Sequence, residues 1–365
     1  MGDAHRIGVI GLGVISRAYL DTLVGRSAVR VTAVADLDAS RSAAVAAELP
    51  GVQALSVEEL LAAPDVDTVL NLTVPAAHAD IALGAVSHGK NVYGEKPLAA
   101  ELTAARAVLE AAEKAAVGVG CAPDTVLGTG VQTARAAVDA GAVGRPLFAS
   151  AVMVTPGHER WHPQPDFYYT AGGGPLLDMG PYYLSSLVHL LGPVRAVIGA
   201  SSRLRTERVI GSGPRAGQRI PVEVDSHVSG VLEHEGGALT TITTSFDGVT
   251  TTAAPIEVHG ETGTLTVPDP NTFDGEVRLL ELGADQWRTL PPSAGYVGAA
   301  RGVGLLDFVA ADAQRPPRAS GELALHVLET MTALLRSSAE GRRIELSTSV
   351  ERPDPVPLTA PEKWR

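Results

Sequence analysis

A short apolar strand that runs straight into a glycine-rich turn and a helix leaves few folds open to this chain. Arg6-Ile7-Gly8-Val9-Ile10 leads into Gly11-Leu12-Gly13-Val14-Ile15-Ser16, and helical sequence continues through Leu23. In such a unit the first glycine permits the tight turn. The second lets the backbone approach a pyrophosphate that rests on the helix N-terminus. Gly11, Gly13, Val14 and Ile15 are therefore candidate cofactor contacts. The third position of the pattern is Ser16, small enough for helix–strand packing, although glycine or alanine is usual there. The next strand, Val29–Ala35, ends in Asp36, 20 positions after Ser16. A carboxylate that binds the ribose hydroxyls is expected at that distance. Asp36 would repel a 2′-phosphate, and the nearest downstream arginine is Arg41, so the pattern favours NAD over NADP. The alternative for Asp36 is a helix-start carboxylate, a role that Asp38 fills equally well.

Strands and helices go on alternating. Asp67-Thr68-Val69-Leu70-Asn71-Leu72 reads as a third strand, Asn91-Val92-Tyr93 as a fourth and Val117-Gly118-Val119-Gly120 as a fifth. This pattern specifies an α/β fold built on a doubly wound parallel sheet. Ligands of such sheets bind beyond the carboxyl ends of the strands. Thr73, Pro75 and His78 fall at one such end, and Glu95, Lys96 and Pro97 at another; they join the cofactor candidates. Asp124, after the fifth strand, is a substrate candidate, as is Lys96.

Lysine is rare here. Lys90, Lys96, Lys114 and Lys363 are the only four in 365 residues, against 25 arginines. Arginine stays protonated, whereas a partly buried lysine can exchange a proton near neutral pH. Lys96 is either a surface lysine beside a turn or a proton-transfer group. Its place at a strand end favours the second.

Bulk properties exclude other classes. The net charge of −12 argues against nucleic acid as the main partner. No apolar run approaches the roughly 18 residues of a membrane span. The opening Met1-Gly2-Asp3-Ala4-His5-Arg6 lacks a signal-peptide core. One cysteine, Cys121, excludes an internal disulfide framework and fits a reducing cytoplasm. No metal-ligand spacing is evident. The length suits two domains, taken as 1–123 and 124–365.

Beyond residue 124 the texture changes. Alternating apolar segments at 148–155, 194–200, 222–232, 238–246, 256–259 and 264–267 read as strands of a largely antiparallel sheet. Residues 203–219, rich in Arg, Gly and Ser, read as a mobile hairpin excursion. The helix at 321–340 is expected to pack back on the first domain, with His326 structural and Gly341 at its C-terminal cap. Aromatic residues concentrate in one stretch. Trp161, Phe167, Tyr168, Tyr169, Tyr182 and Tyr183 place 6 of 15 aromatics within 23 positions, accompanied by His158 and His162. Aromatic faces stack on sugar and cyclitol rings. Trp161, His162 and Tyr182 are thus substrate candidates, while Tyr168 and Tyr169 fit a wall or a core equally. Arg160 is the one added cation, which favours a neutral polyol.

The turn at 11–16, Thr73-Val74-Pro75-Ala76-Ala77-His78, Gly94-Glu95-Lys96-Pro97 and Gly172-Gly173-Gly174-Pro175-Leu176-Leu177-Asp178-Met179-Gly180 together resemble the Gfo/Idh/MocA family of sugar and cyclitol oxidoreductases over essentially the whole chain. The resemblance implies an N-terminal Rossmann domain and a C-terminal α+β domain with a large open, mostly antiparallel sheet. It implies homodimers or homotetramers formed through that sheet. It also implies that Lys96 is the catalytic lysine, that Glu95 and Pro97 shape the nicotinamide pocket around a cis Lys96–Pro97 bond, and that Asp178 orients the substrate. The family usually has histidine four positions after that aspartate; here Tyr182 stands there, as in some members.

The expected activity is NAD-dependent oxidation of a secondary alcohol on a sugar or cyclitol, with Lys96, Asp178 and Tyr182 handling the proton. NADPH-dependent reduction of a keto-sugar is the nearest alternative, separable by cofactor affinities. An NAD-using glycoside hydrolase would release sugar without net NADH. A non-catalytic NAD sensor would need neither Lys96 nor Asp178.

Overall fold

The computed structural model describes residues 4–312 and 314–364; residues 1–3, part of the opening segment considered above, lie outside them. The chain forms two compact units. One comprises the chain up to Leu127, Tyr296–Leu325 and the segment from Thr359 onward; the other comprises Gly128–Gly295 and His326–Leu358. The division thus falls after residue 127 and the first unit is discontinuous, unlike the single boundary at 123/124 read from the sequence. The physical reason lies at the sixth strand, which pairs with a segment far along the chain: Cys121 N donates to the Ala319 carbonyl at 3.0 Å, and Gly120 bridges Ser320.

In the first unit, β1 (His5–Ile10), β2 (Val29–Ala35), β3 (Gln53–Ala54), β4 (Thr68–Asn71), β5 (Asn91–Gly94) and β6 (Val119–Cys121) form a sheet in the order β3-β2-β1-β4-β5-β6. Every adjacent pair is parallel. Parallel strands are covered on both faces, so they carry continuous apolar runs. All four residues of β4 are buried, as are the last five of β2. The two-residue β3 is exposed and has no apolar pattern by which the sequence would betray it. Helices α1 (Val14–Leu23), α2 (Ala39–Glu48), α3 (Val57–Ala62), α4 (His78–Ser87) and α5 (Leu102–Ala115) connect the strands. Asp38 caps α2 through Ser40 N, and Ser56 with Glu59 forms a capping box on α3. The strand order reverses between β1 and β4, which opens a crevice at their carboxyl ends.

The second unit holds α6 (Thr129–Asp139), β7 (Pro146–Val154), α7 (Pro175–Leu191), β8 (Val194–Ser202), β9 (Glu207–Val209), β10 (Arg219–Pro221), β11 (His227–His234), β12 (Leu239–Ser245), β13 (Ile256–Gly260), β14 (Gly263–Val267), β15 (Val277–Glu281), β16 (Arg288–Leu290) and β17 (Ile344–Glu345). Nine strands form one sheet, β16-β15-β14-β13-β7-β12-β11-β8-β17, antiparallel except for β7 with β12. Helix α7 packs on β7, β11 and β12. Their residues alternate between buried and exposed because one face meets helices and the other does not.

One expectation changes. Helix α8 (Val303–Val309) precedes α9 (Gly321–Glu340), of which only the first turn belongs to the first unit. The rest packs within the second: the Leu334 carbonyl and side chain close on Gly199 and Gly230, and Met331 closes on Gly180. The 203–219 segment is a hairpin: β9 pairs with β10, which runs on to Pro221, and Arg208 on β9 is buried. His326 is structural, accepting from Val194 N at 3.0 Å, and Gly341 takes the left-handed conformation (φ 63°) after α9.

Candidate active site

The residues read as cofactor contacts lie at the strand ends and following loops of the first unit. Gly11 has φ +94°, and a Cβ there would lie 2.6 Å from the Leu72 backbone and 2.7 Å from Thr73 N. Glycine is required because the turn and the end of β4 nearly touch. Gly13 faces open space and caps α1 with no side-chain hydrogen bond; no acid occupies the first turn. Val14 is fully exposed beside it and Ile15 partly exposed. Helical N–H groups left without partners next to an approachable glycine fit a pyrophosphate. Asp36 stands at the end of β2, its Oδ2 accepting from Leu12 N at 2.7 Å and its Oδ1 from Asp38 N at 2.9 Å. The carboxylate is thus fixed against the turn, with lone pairs remaining for ribose hydroxyls. Arg41 lies 3.8 Å from it.

Thr73 spends its hydroxyl on Asn71 Oδ1 at 2.6 Å, and Pro75 starts an exposed 3₁₀ turn. His78 departs from expectation. It is buried, with Nδ1 2.6 Å from the Pro97 carbonyl and Nε2 3.0 Å from the Thr73 carbonyl. It clamps two loops together and does not face the open edge. Lys96 and Pro97 are half-buried, joined by a cis peptide. Glu95 Oε2 accepts from Lys96 N at 3.0 Å, and Glu95 Oε1 accepts from the Tyr19 hydroxyl at 2.8 Å.

Asp124 is a correction. It is completely buried, accepts from Gly302 N at 2.7 Å and from Gly304 N at 3.3 Å, and lies 3.5 Å from Arg301. Burial raises its pKa, and Arg301 opposes the rise. It holds the start of α8 and has no surface to offer a substrate; partners so far along the chain leave no local pattern around Asp124.

In the second unit, Asp178 lies in the first turn of α7, where the helix dipole favours a carboxylate. Tyr182 follows one turn later on the same face and is 7% exposed. Asp178 meets a residue missed among the sequence candidates: His158 Nε2 lies 3.0 Å from Asp178 Oδ2, both side chains mostly buried. The imidazole is wedged between Trp161, Tyr168 and Phe246, with ring centroids 5.3, 4.6 and 4.6 Å away. His162 lies 5.4 Å from both Trp161 and Phe167, and Trp161 is 59% exposed. Tyr169 is core, fully buried. The close approach that Gly173 permits is to protein: a Cβ there would lie 2.5 Å from the Phe167 carbonyl.

The profile of the oxidoreductase family with an NAD-binding Rossmann fold matches residues 5–122, and that of the GFO/IDH/MocA C-terminal domain matches residues 131–266. The 1,5-anhydro-D-fructose reductase of Ensifer adhaerens is 30% identical over 358 residues, 95% of this chain and all of that protein. The chain belongs to the Gfo/Idh/MocA family. Like other Gfo/Idh/MocA proteins it is an NAD-binding oxidoreductase. Inositol 2-dehydrogenase 3 of Saccharopolyspora erythraea is 29% identical, covering 81% of this chain and 78% of that protein. Two solved structures share the Gfo/Idh/MocA architecture. An NAD-binding oxidoreductase from Klebsiella pneumoniae superposes with TM-score 0.81 at 23% identity, covering 95% of this chain and all of that one. Levoglucosan dehydrogenase with NADH and levoglucosan superposes with TM-score 0.78 at 20% identity, covering 94% and 100%. Among the described residues no helix is long and apolar enough to cross a membrane.

Proposed function

We propose that this oxidoreductase oxidises a secondary alcohol of a neutral sugar or cyclitol, with Lys96, Asp178, His158 and Tyr182 handling the hydroxyl proton. The observation that carries the reading is the Asp178–His158 pair at 3.0 Å, set among aromatic rings. The relatives' names, an anhydrofructose reductase and an inositol dehydrogenase, support a polyol substrate and the same chemistry in either direction. NAD, when bound, supplies the hydride acceptor. The Gly11–Ile15 turn would hold its pyrophosphate and Asp36 its ribose, and Thr73, Pro75, Glu95 and Pro97 would serve its nicotinamide end. The carbinol carbon gives up hydride as its hydroxyl gives up a proton. Lys96 takes that proton as general base. Asp178 fixes His158 by accepting from Nε2–H, which leaves the Nδ1 lone pair to accept from a substrate hydroxyl. Tyr182 relays the proton, or replaces Lys96 as its first acceptor. Trp161 and His162 offer ring faces to the substrate.

NADH formation across a panel of sugars, inositols and glycosides tests the reading. Lys96→Met is expected to abolish turnover while NAD still binds; a near-wild-type rate would sink the assignment. The open sheet face carries Phe148, Ile198 and Leu239, each about half exposed (49%, 48% and 48%), which supports homo-oligomers formed through it.

A further inference from the structure

The hairpin of β9 and β10 brings a buried guanidinium under His158. Arg208 is 3% exposed. Its Nη1 donates to Glu159 Oε1 at 3.3 Å and to the Pro156 carbonyl at 3.4 Å. Its Nη2 donates to Asp247 Oδ1 at 2.5 Å and to the Phe246 carbonyl at 3.0 Å. The guanidinium lies 5.3 Å from the centroid of the Tyr169 ring, and the Tyr169 hydroxyl donates to Glu159. Gly211 N, farther along the hairpin, donates to the Glu159 carbonyl at 2.7 Å.

These anchors surround one residue. Pro156 and Glu159 flank His158 in the chain, and Phe246 packs its ring 4.6 Å from the imidazole. One side chain therefore fixes both the turn that carries His158 and the ring on which it rests. Only a planar fork of N–H groups can serve two carboxylates and two carbonyls at once; a lysine ammonium has too few donors in the wrong geometry. A guanidinium so fully desolvated persists because its partners are fixed, which makes the assembly stiff.

We propose that Arg208 is a positioning residue that holds His158 on Asp178, resting on the reading that this pair serves the proton step. Loss of the fork lets the imidazole leave the carboxylate while the rest of the sheet stands. Misplacement of a reacting group by about 1 Å costs on the order of 100-fold in rate.

A double-mutant cycle on kcat tests this, with Arg208→Gln, His158→Asn and the pair, at saturating NAD and the best polyol of the panel. Arg208→Gln is expected to lower kcat about 10- to 100-fold in the native background and less than about 2-fold in the His158→Asn background, because both changes remove one function. The KM for NAD stays within about 2-fold, and Arg208→Lys recovers only part of the rate. Equal losses in the two backgrounds, or a native rate in Arg208→Gln, overturn the proposal alone. A native rate in His158→Asn overturns the proton reading as well. Spectra of the ¹⁵N-histidine-labelled protein give a readout without turnover. His158, assigned by its loss in His158→Asn, is expected to hold one tautomer in the native protein and to average two in Arg208→Gln. Unchanged His158 signals overturn the proposal. If Arg208→Gln does not fold, Glu159→Gln, which keeps the shape and removes one anchoring charge, enters the same cycle and spectra with the same expected and overturning outcomes.

Discussion

The Tyr19 hydroxyl on α1 donates to Glu95 Oε1 at 2.8 Å, while Glu95 Oε2 accepts from Lys96 N at 3.0 Å. One carboxylate thus links the helix of the glycine-rich turn to the backbone of Lys96. Tyr19 is fully buried, and burial, reinforced by Glu95, pushes its pKa far above the ordinary value, so it remains a neutral donor. Tyr19→Phe keeps the ring and leaves Glu95 one partner short. The expected loss of stability is about 1–2 kcal/mol by urea denaturation. The turnover number should fall about 3- to 10-fold through misplaced Lys96, with the polyol KM unchanged. A native midpoint together with a native rate would show the link to be idle.

Asp36 is positioned by two backbone N–H groups, one of them on the glycine-rich turn itself. Asp36→Ala removes the proposed ribose acceptor and the carboxylate that accepts from Leu12 N in the turn. The KM for NAD should rise at least about 10-fold, the equivalent of one charge-assisted hydrogen bond. With Arg41 already 3.8 Å away and no carboxylate to repel a 2′-phosphate, the NADP:NAD ratio of kcat/KM should rise too. Initial rates with the two cofactors decide it; an unchanged ratio would remove Asp36 from the selectivity argument.

The parallel sheet could be read from sequence because each strand announces itself locally, by an apolar run followed by glycine, proline or a capping residue. Val29–Ala35 was read to the residue. Whatever depended on distant partners could not be read. Asp124 looked like its strand-end neighbours until the N–H groups of Gly302 and Gly304 turned it inward. His78 and His158 were both visible as histidines near motifs. Which one faces carbonyls and which one a carboxylate is decided by tertiary packing. The scarcity of lysine also proved ambiguous. Lys90 is as rare as Lys96, yet it is buried and donates to the carbonyls of Ala63 at 2.5 Å and Val66 at 2.8 Å, a purely structural use.

His78 joins the end of β4 to the Lys96–Pro97 segment through the carbonyls of Thr73 and Pro97. His78→Leu fills similar volume and takes away the ring N–H that ties the two loops together. A buried carbonyl left without its donor costs about 1–3 kcal/mol, which is the expected loss. The loss should be local first. Hydrogen exchange measured by mass spectrometry should speed up at 73–78 and 95–98 before the rest of the sheet. Uniform change across β1 to β6 would argue for a general packing defect instead.

His234 makes the stability of the second unit sensitive to acid. It is completely buried, with Nδ1 2.8 Å from the Gly192 carbonyl and Nε2 2.9 Å from Thr240 Oγ1. Burial is the main cause that lowers its pKa from the ordinary 6.5 to about 4; the Gly192 carbonyl opposes this and nearby His326 assists. Between about pH 4 and 6.5 the unfolded chain binds a proton that the folded chain does not, so stability rises with pH in that window. The contribution is complete above about 6.5 and lost as the pH falls toward 4, amounting to about 3 kcal/mol at most. His234→Gln keeps an acceptor and a donor without titrating. Urea melts at steps from pH 4 to 8 should show its stability flattening relative to the native protein by up to about 1.4 kcal/mol per pH unit in that window. Identical slopes for the two proteins would mean that His234 keeps its ordinary pKa in the fold.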